Sequence, residues 1–437
     1  MALVVERAER IEKFVPEQFY TINILVKQKN MDFRTYELKW KRDKLYNEVC
    51  TKVIMEDIKR ERRAMVVDIE EKENTLPPPL PLNTNKMLRI SSANLGISPI
   101  EALKILESLY LNGYITYFLT ESTNYGPNFN FEEILATHQL HSIWGRYTLN
   151  LLEEGFLKPT NGAFIDENLP LVPVKSAEKG KLAPQEWKIY QYIAKNFLAS
   201  ISKPAVYTSE NVIFNIEGEL FTLGSKNLIE SNFCEIMPSL NTVKESESIG
   251  KFKKMQEYFI DTRRIFDAKT LPPKYLTEAE LITQMEALKI GRNGKIAVHI
   301  QDLIENNYIQ VDKKKGRSLI PTSIGIALVK GIGSVDKELI SPKIRAEIEK
   351  ECALISVGEL DNKEVVNHIL SSFKNKFDYF KRKFDRVEKA FSSEVIKSQP
   401  DKKDSKKESK GKKKDSVAFS EDGVGYEHCT VCYLSSF

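Results

Sequence analysis

A run of prolines interrupts the chain early, because four of the five residues from Pro77 to Pro81 are prolines. Proline fixes φ and lacks an amide hydrogen, so such a run continues neither a helix nor a central strand. We therefore place a domain boundary at TLPPPLPLN, residues 75–83. Before this boundary, strand-like pieces such as QFYTINILVKQ alternate with charge-rich connectors, which predicts a segment rich in strands.

A well-delimited helix is predicted in SPIEALKILESLYLNG. Ser98 suits the N-cap, Pro99 the first helical position, and Glu101 completes a capping box. Apolar residues then recur at helical spacing until Gly113 ends the helix. The residues that follow, YITYF at 114–118, are interpreted as a short strand. A capped helix that leads through a glycine into a strand is typical of a winged-helix fold.

The second half of the chain repeats this alternation. Residues 204–240 are strand-like, as in AVYTSENVIFNIEGELFTLG. Thr277 and Glu280 form another capping box at the start of a helix, and NNYIQVDKKKGRSLIPTSIG follows as a hairpin. This pairing predicts a second winged-helix-like unit, and a charged helical stretch at 341–393 closes the folded part.

Composition excludes several classes of protein. The chain has 437 residues, enough for about two to three domains. No run approaches the roughly 18 apolar residues of a membrane span. Its net charge is only +4, so any affinity for nucleic acid must come from local patches. Five scattered cysteines do not make a disulfide framework, which indicates a reducing compartment, the nucleus or the cytoplasm.

The C-terminal tail and the histidines contain no complete metal-binding motif. Residues 396–437 are predicted to be a disordered tail, with eight lysines and four acids in DKKDSKKESKGKKKDS at 401–416. This stretch is either a solvated linker or a weak phosphate-binding or localisation patch. Cys429 and Cys432 have the spacing of half a zinc motif, so no complete Zn²⁺ site is expected. His138 and His141 are interpreted as surface or satisfied core histidines.

The segment PLNTNKMLRISSANLGISPIEALKILESLYLNGYITYFLTESTNYG resembles type IA DNA topoisomerases. The resemblance continues in LTEAELITQMEALKIG and VERAERIEKFVPEQFY, and it covers residues 2–395 in collinear order. Three segments resemble the beta subgroup of eukaryotic topoisomerase III in particular. They are EGELFTLGSK, EIMP and PTSIGIALVKG.

This resemblance implies an α+β multidomain fold, the type IA toroid. Residues 1–76 and 204–235 would form a β-rich arch, and residues 77–203 a winged-helix domain that carries the tyrosine. Residues 236–395 would form a helical base that binds the single strand. MALVVER aligns midway through the family enzyme, so the Toprim domain and its Mg²⁺-binding carboxylates are expected to be absent here.

The family's chemistry implies that Tyr117 is the nucleophile. It stands in a YITY-x-x-TE-[ST] signature, with Thr120 and Glu121 in the active-site frame. In this family the tyrosine attacks a backbone phosphate of single-stranded DNA and holds the cut strand as a 5′-phosphotyrosine. A phenol with a pKa near 10 is a poor nucleophile at pH 7, so nearby positive charge is needed. Of the neighbouring tyrosines, Tyr114 is expected to pack in the interior and Tyr125 to lie on the surface.

Three positions depart from the family's pattern. Leu119 replaces an arginine expected to contact the scissile phosphate, and leucine can neither neutralise charge nor donate a hydrogen bond. Asn168 replaces a histidine thought to assist the phosphate. Arg292, Asn293 and Lys295 stand where the family has threonine and aspartate. Phosphate contact by Arg292 or Lys295 would partly offset the loss.

Two functions therefore remain open. The first is a topoisomerase III-like enzyme that breaks, passes and rejoins single strands, impaired when this chain acts alone. The second is a catalytically degenerate scaffold that binds single-stranded DNA or RNA. The candidate nucleic-acid contacts are Lys86, Arg89, Arg292, Lys295 and Arg317. By family, Mg²⁺ is the expected cofactor and a Tudor-domain scaffold protein an expected partner.

Overall fold

A computed structural model describes residues 1–27, 34–165, 168–243, 252–292 and 294–397. The chain divides into two compact units. The barrel unit contains Arg10–Met87 and Glu101–Lys274, and the helical unit contains Met1–Glu9, Leu88–Ile100 and the residues from Tyr275 onward. The predicted Lys-rich tail, with Cys429 and Cys432, lies outside the described residues, as does Asn293.

Fourteen α-helices are found in the described part of the chain. They are α1 Ala2–Glu12, α2 Glu48–Arg60, α3 Thr84–Ile90, α4 Pro99–Leu111, α5 Phe131–His138, α6 Gly145–Glu154, α7 Pro184–Ser200, α8 Phe233–Ile236, α9 Glu278–Ala287, α10 Lys295–Glu305, α11 Ser323–Val335, α12 Pro342–Ser356, α13 Asn362–Arg382 and α14 Phe384–Lys397. None of them is long and apolar enough to cross a membrane.

Six antiparallel strands close into a barrel in the order β1-β2-β5-β4-β3-β6. Their bounds are β1 Gln18–Lys27, β2 Thr35–Trp40, β3 Arg63–Leu76, β4 Ala205–Ile216, β5 Glu219–Glu230 and β6 Glu257–Lys269. Alternate residues of β1 (Ile22, Ile24 and Val26) are buried in the barrel core. A two-residue turn with positive φ at Glu217 and Gly218 joins β4 to β5, as expected for a tight hairpin.

The structure differs from the expected layout in two places. Strand β6 pairs with β1 and β3 although it lies within residues 236–395, which we assigned to a helical base. Its alternation of apolar and polar side chains is weak, so only pairing with distant strands defines it. Helices α1 and α2 also lie within the segment predicted to be rich in strands.

Helix α4 begins at Pro99, and Gly113 beyond its end has φ +70°, as the sequence predicts. The predicted strand at 114–118 is wrong, because only an isolated bridge between Ile115 and Pro173 is formed there. Tyr114 packs against Tyr190 as expected. The prediction of a surface position for Tyr125 is also wrong. Tyr125 is 2% exposed and its hydroxyl pairs with Ser200, and burial raises the pKa of this phenol.

The predicted helix and hairpin of the helical unit are confirmed. The Thr277 hydroxyl accepts the Glu280 amide hydrogen, while the Glu280 carboxylate accepts the Thr277 amide hydrogen, which completes the capping box of α9. Two short strands, β7 Ile309–Asp312 and β8 Ser318–Pro321, form the hairpin. Thr322 then caps α11 through its hydroxyl.

Candidate active site

Tyr117 lies in the barrel unit, shortly after the glycine that follows α4. It is 42% exposed, so a macromolecular substrate can reach it. Its ring meets Tyr110 edge to face, with the ring centroids 5.4 Å apart, and it lies 5.5 Å from the Phe118 ring. Tyr110 belongs to the last turn of α4, so the helix end and Phe118 support one side of the nucleophile candidate.

Buried Thr84 holds the main chain on both sides of Leu119. The Thr84 hydroxyl lies 2.6 Å from the Phe118 carbonyl oxygen, and it accepts the Thr120 amide hydrogen over 2.8 Å. The Thr84 amide in turn donates to the Thr120 carbonyl. Because both threonines are at most 3% exposed, these bonds are shielded from competing water. The main chain immediately after Tyr117 is therefore fixed.

A second set of hydrogen bonds joins the tyrosine segment to residues 165–172. Thr116 donates its amide hydrogen to the Val172 carbonyl and accepts the Val172 amide hydrogen on its hydroxyl oxygen, at 3.1 and 2.9 Å. The Ser122 hydroxyl donates to the Ile165 carbonyl and accepts from its amide. Asn168 lies in sequence between the two tied positions of the second segment, Ile165 and Val172.

The remaining frame residues mainly shape the backbone. Thr120 is 3% exposed, and its hydroxyl accepts the Ser122 amide hydrogen at 3.1 Å. The Glu121 carbonyl accepts a hydrogen bond from the side chain of Asn83. Leu119 is half-buried and supplies no polar group. The side chain of Asn168 is also half-buried, while its amide donates to the Ile165 carbonyl.

The predicted nucleic-acid contacts fall in both units. Lys86 belongs to the barrel unit, and its ammonium lies 3.1 Å from the Leu80 carbonyl. Arg89 belongs to the helical unit, where its guanidinium meets the Thr283 hydroxyl at 3.3 Å. Arg292 and Lys295 are both exposed and lie at the beginning of α10, also in the helical unit.

Arg317 is placed differently from its predicted role as a phosphate contact. Its guanidinium makes two bonds to the Glu278 carboxylate, at 2.6 and 2.9 Å, and Glu278 is fully buried. Ser92 donates a third hydrogen bond to the same carboxylate, from a turn of π-helix at Ser91–Leu95. A guanidinium engaged in this way stabilises the interior, so we assign Arg317 to the core of the helical unit.

The described residues do not fit a metal ion. In this part of the chain, no group of three or more His, Cys, Asp or Glu side chains could hold one. A hard cation such as Mg²⁺ requires several oxygen ligands. No step of the chemistry is therefore assigned to a metal held by these residues.

Sequence reasoning missed the residues that hold Tyr117 in place. Thr84 and Thr116 bond to main-chain groups more than 30 residues away, and their residue types alone give no sign of this role. Ser122, which bonds to Ile165, is the serine of the family signature and was therefore part of the expected frame. His138 and His141 are buried, at 1% and 5% exposure, which fits the core interpretation of these histidines and not the surface one.

Comparison with known proteins gives consistent matches. The profile of a family described as "DNA topoisomerase" matches residues 1–367. DNA topoisomerase 3-beta-1 from Homo sapiens is 36% identical over 380 residues, which are 87% of this chain and 43% of that protein. DNA topoisomerase 3 from Schizosaccharomyces pombe is 30% identical over 384 residues, 86% of this chain and 61% of that protein. The chain thus spans less than two thirds of these relatives.

A solved structure shares the fold. The full-length topoisomerase I from Thermotoga maritima superposes with a TM-score of 0.67 and 22% identity. The likeness covers 88% of this chain and 61% of that one. The predicted α+β multidomain fold class is confirmed by this superposition.

Proposed function

Because the chain belongs to the type IA DNA topoisomerase family, we propose that Tyr117 breaks and rejoins a single DNA strand, as in topoisomerase III. The observation that carries this proposal is the setting of Tyr117. Its ring is exposed, while the main chain is tied before it by the bonds of Thr116 to Val172 and after it by the buried hydroxyl of Thr84. A nucleophile reacts fastest when the substrate can reach it and its position is already fixed before the substrate binds.

The proposed reaction conserves the number of phosphate ester bonds. The phenol oxygen of Tyr117 forms a bond to phosphorus as the bond from phosphorus to the 3′ oxygen breaks. The phenol loses its proton and the leaving 3′ oxygen gains one. Another strand passes while the 5′-phosphotyrosine holds the cut end, and attack by the 3′ hydroxyl then restores the original bond.

Leu119 makes the proposed reaction slower in this chain than in relatives with arginine at this position. Charge builds on the phosphate oxygens in the transition state, and a guanidinium stabilises it by charge and by paired hydrogen bonds. Leu119 supplies neither, although Thr84 holds its backbone where the resemblance expects the arginine. Type IA topoisomerases use Mg²⁺, and we assign its ligands to none of the described residues.

A second function, binding without cleavage, is favoured by the same surroundings. Tyr117 lies among the aromatic rings of Tyr110 and Phe118, and Tyr110 is 38% exposed. Exposed aromatic rings stack on bases of single-stranded DNA or RNA with little sequence preference. In this alternative the chain is a scaffold for single strands in the nucleus or cytoplasm, with a Tudor-domain protein as the partner that the family resemblance suggests.

The two functions are distinguished by trapping a covalent adduct. Labelled single-stranded DNA is incubated with Mg²⁺ and the chain, with and without a separately supplied Toprim domain from a topoisomerase III. We expect a denaturation-resistant adduct that Tyr117→Phe abolishes. Strand binding without an adduct in either condition would establish the scaffold and refute the enzyme.

Substitution of Leu119 tests the proposed defect. Leu119→Arg should raise the rate of adduct formation roughly tenfold or more, because a hydrogen bond to a charged group contributes about 1.5–3 kcal/mol. The comparison variant Leu119→Gln adds an uncharged donor on a shorter side chain, so it should recover much less. Equal rates in both variants would show that charge at this position is not the missing element.

A further inference from the structure

Two buried histidines, His138 at the end of α5 and His141 in the loop after it, are hydrogen-bonded to the main chain of residues 173–177. The Nε2 atom of His138 lies 2.9 Å from the Pro173 carbonyl oxygen, and Nε2 of His141 lies 2.8 Å from that of Ala177. Ser142 adds a third tie, because its amide donates to the Glu178 carboxylate over 3.0 Å. Neither histidine contacts Tyr117 directly.

The hydrogen-bond network determines which nitrogen of each ring carries the proton. The indole N–H of Trp144 points at Nδ1 of His138 over 3.1 Å, and the amide N–H of Ile143 points at Nδ1 of His141 over the same distance. Both of these groups can only donate, so each Nδ1 must accept. Each ring is therefore neutral, with its hydrogen on Nε2, where it is donated to a main-chain carbonyl.

Aromatic stacking holds the His141 imidazole in this orientation. The His141 ring lies parallel to the Trp144 indole, with centroids 3.5 Å apart and an interplanar angle of 3°. The Trp187 ring of α7 is also nearly parallel to the His141 ring, with the two centroids 6.1 Å apart. A ring fixed in this way directs its N–H at one carbonyl and cannot follow a displaced segment.

The carbonyl that His138 holds belongs to the segment that frames Tyr117. Pro173 forms a bridge with Ile115, and the neighbouring Val172 is bonded to Thr116 through both its amide and its carbonyl. Pro173 directly follows Val172, the residue that is paired with Thr116 immediately before Tyr117. Trp144 is thus connected to the backbone at Thr116 through hydrogen bonds to and from His138, the peptide bond between Val172 and Pro173, and the hydrogen bonds of Val172.

We propose that His138 and His141 are positioning residues for Tyr117, acting by donating Nε2–H to the carbonyls of Pro173 and Ala177. The nucleophilic role of Tyr117 rests on the proposed function, whereas the hold on the Thr116 backbone does not. Loss of the donor at residue 138 frees residues 172–173, and the pairing at Thr116 loosens with them.

Two amide variants of His138 separate hydrogen bonding from packing. In His138→Gln the side-chain nitrogen reaches about as far as Nε2 and can still donate to Pro173. In His138→Asn the side chain reaches only as far as Nδ1, so the donor to Pro173 is lost. Native-state amide hydrogen exchange is then measured at Thr116 and Val172, whose N–H groups bond across the two segments.

We expect exchange at both amides to be roughly tenfold faster in His138→Asn than in the wild type, and within about twofold of the wild type in His138→Gln. Amides of the β4–β5 pair serve as the internal reference and should not change. Equal acceleration in both variants would mean that only ring packing matters, and no acceleration in His138→Asn would refute the positioning role. If His138→Asn does not fold, His141→Gln and His141→Asn provide the same comparison at Ala177.

The adduct assay completes the test. If the wild type forms the adduct, His138→Asn should slow its formation about tenfold while single-strand affinity stays unchanged, and His138→Gln should restore the rate. If the wild type forms none, the proposed function fails, and the exchange rates still decide whether His138 holds the backbone at Thr116.

Discussion

The pairing of Arg317 with Glu278 shows how burial decides the role of a charged residue. Glu278 is fully buried and the side chain of Arg317 is 10% exposed, so both charges are largely removed from water. Such a pair is tolerated because two bonds from the guanidinium and one from Ser92 satisfy the carboxylate. The sequence predicted a surface phosphate contact because Arg317 follows three lysines, and it contains no sign of the partner 39 residues away.

Replacing Arg317 should destabilise the helical unit strongly. Arg317→Met leaves the Glu278 carboxylate buried and unpaired, which costs about 3–5 kcal/mol. Denaturant unfolding would measure this change. The control is Lys59→Met, which breaks the exposed pair of Lys59 with Glu56 and should change stability by less than about 1 kcal/mol. Weaker strand binding by folded Arg317→Met, with stability unchanged, would support the phosphate contact instead.

At the scale of elements, a close approach of two loops sets the shape of the tyrosine segment. Gly162 has φ +101°, and a Cβ atom at this residue would lie 2.2 Å from the Thr123 carbonyl oxygen. Next to it, the Ala163 amide donates to the Thr123 hydroxyl, and the Thr123 amide donates back to the Ala163 carbonyl. Only glycine permits this contact, because any side chain would push Thr123, six residues after Tyr117, out of place.

Gly162→Ala should therefore loosen the tyrosine segment. Gly155→Ala is the matched control, since Gly155 also has a positive φ, +92°, but a Cβ atom there meets nothing within 4 Å. In the control, the free energy of unfolding should fall only by the cost of a positive φ in alanine, about 1–3 kcal/mol. In Gly162→Ala it should fall clearly more, because the added Cβ atom also meets Thr123. Thermal unfolding and amide exchange at Thr123 and Ala163 would measure both effects. Equal losses in the two variants would show that the contact with Thr123 is unimportant.

Local signals predicted some elements and not others. The start of α4, the capping box of α9 and the β7–β8 hairpin depend on residues close together in sequence, so the sequence was sufficient for them. Residues 114–118 have the aromatic and β-branched composition of a strand, yet Thr116 and its neighbours are tied by side-chain hydrogen bonds instead of a ladder. Composition does not distinguish these two outcomes, because the partner segment lies more than 50 residues away.

At the scale of the whole molecule, each unit contains a histidine whose pKa burial lowers below its ordinary value of 6.5. In the barrel unit this is His138, where His141 adds to the effect. In the helical unit it is His299, where Arg345 also lowers the pKa. Burial therefore disfavours the protonated form of both rings, and a lower pH should destabilise both units.

The free energy of unfolding should therefore fall as the pH drops below 6.5. Below this value the unfolded chain takes up protons that the folded histidines still exclude, so protonation favours unfolding. Exposed carboxylates with lowered pKa, such as Glu48 and Glu178, add their effect only below their ordinary value of 4.5. Denaturant unfolding from pH 7.5 to pH 5 should show a smaller loss in His138→Gln and in His299→Gln. An unchanged pH dependence in both variants would contradict this account.

The sequence by itself determined the family resemblance, which implies Tyr117 as the nucleophile candidate and an arginine at the position of Leu119. The motifs that carry this resemblance are short stretches of residue types, which folding does not alter. Only the tertiary structure decided that β6 closes the barrel, that Arg317 is buried, that Tyr125 is internal and that His138 holds the chain beside Tyr117. Each of these depends on a partner that is distant in sequence. A buried polar group or strand edge cannot bond to water, so it must pair with whichever group the fold brings beside it, and the sequence does not show which group that is.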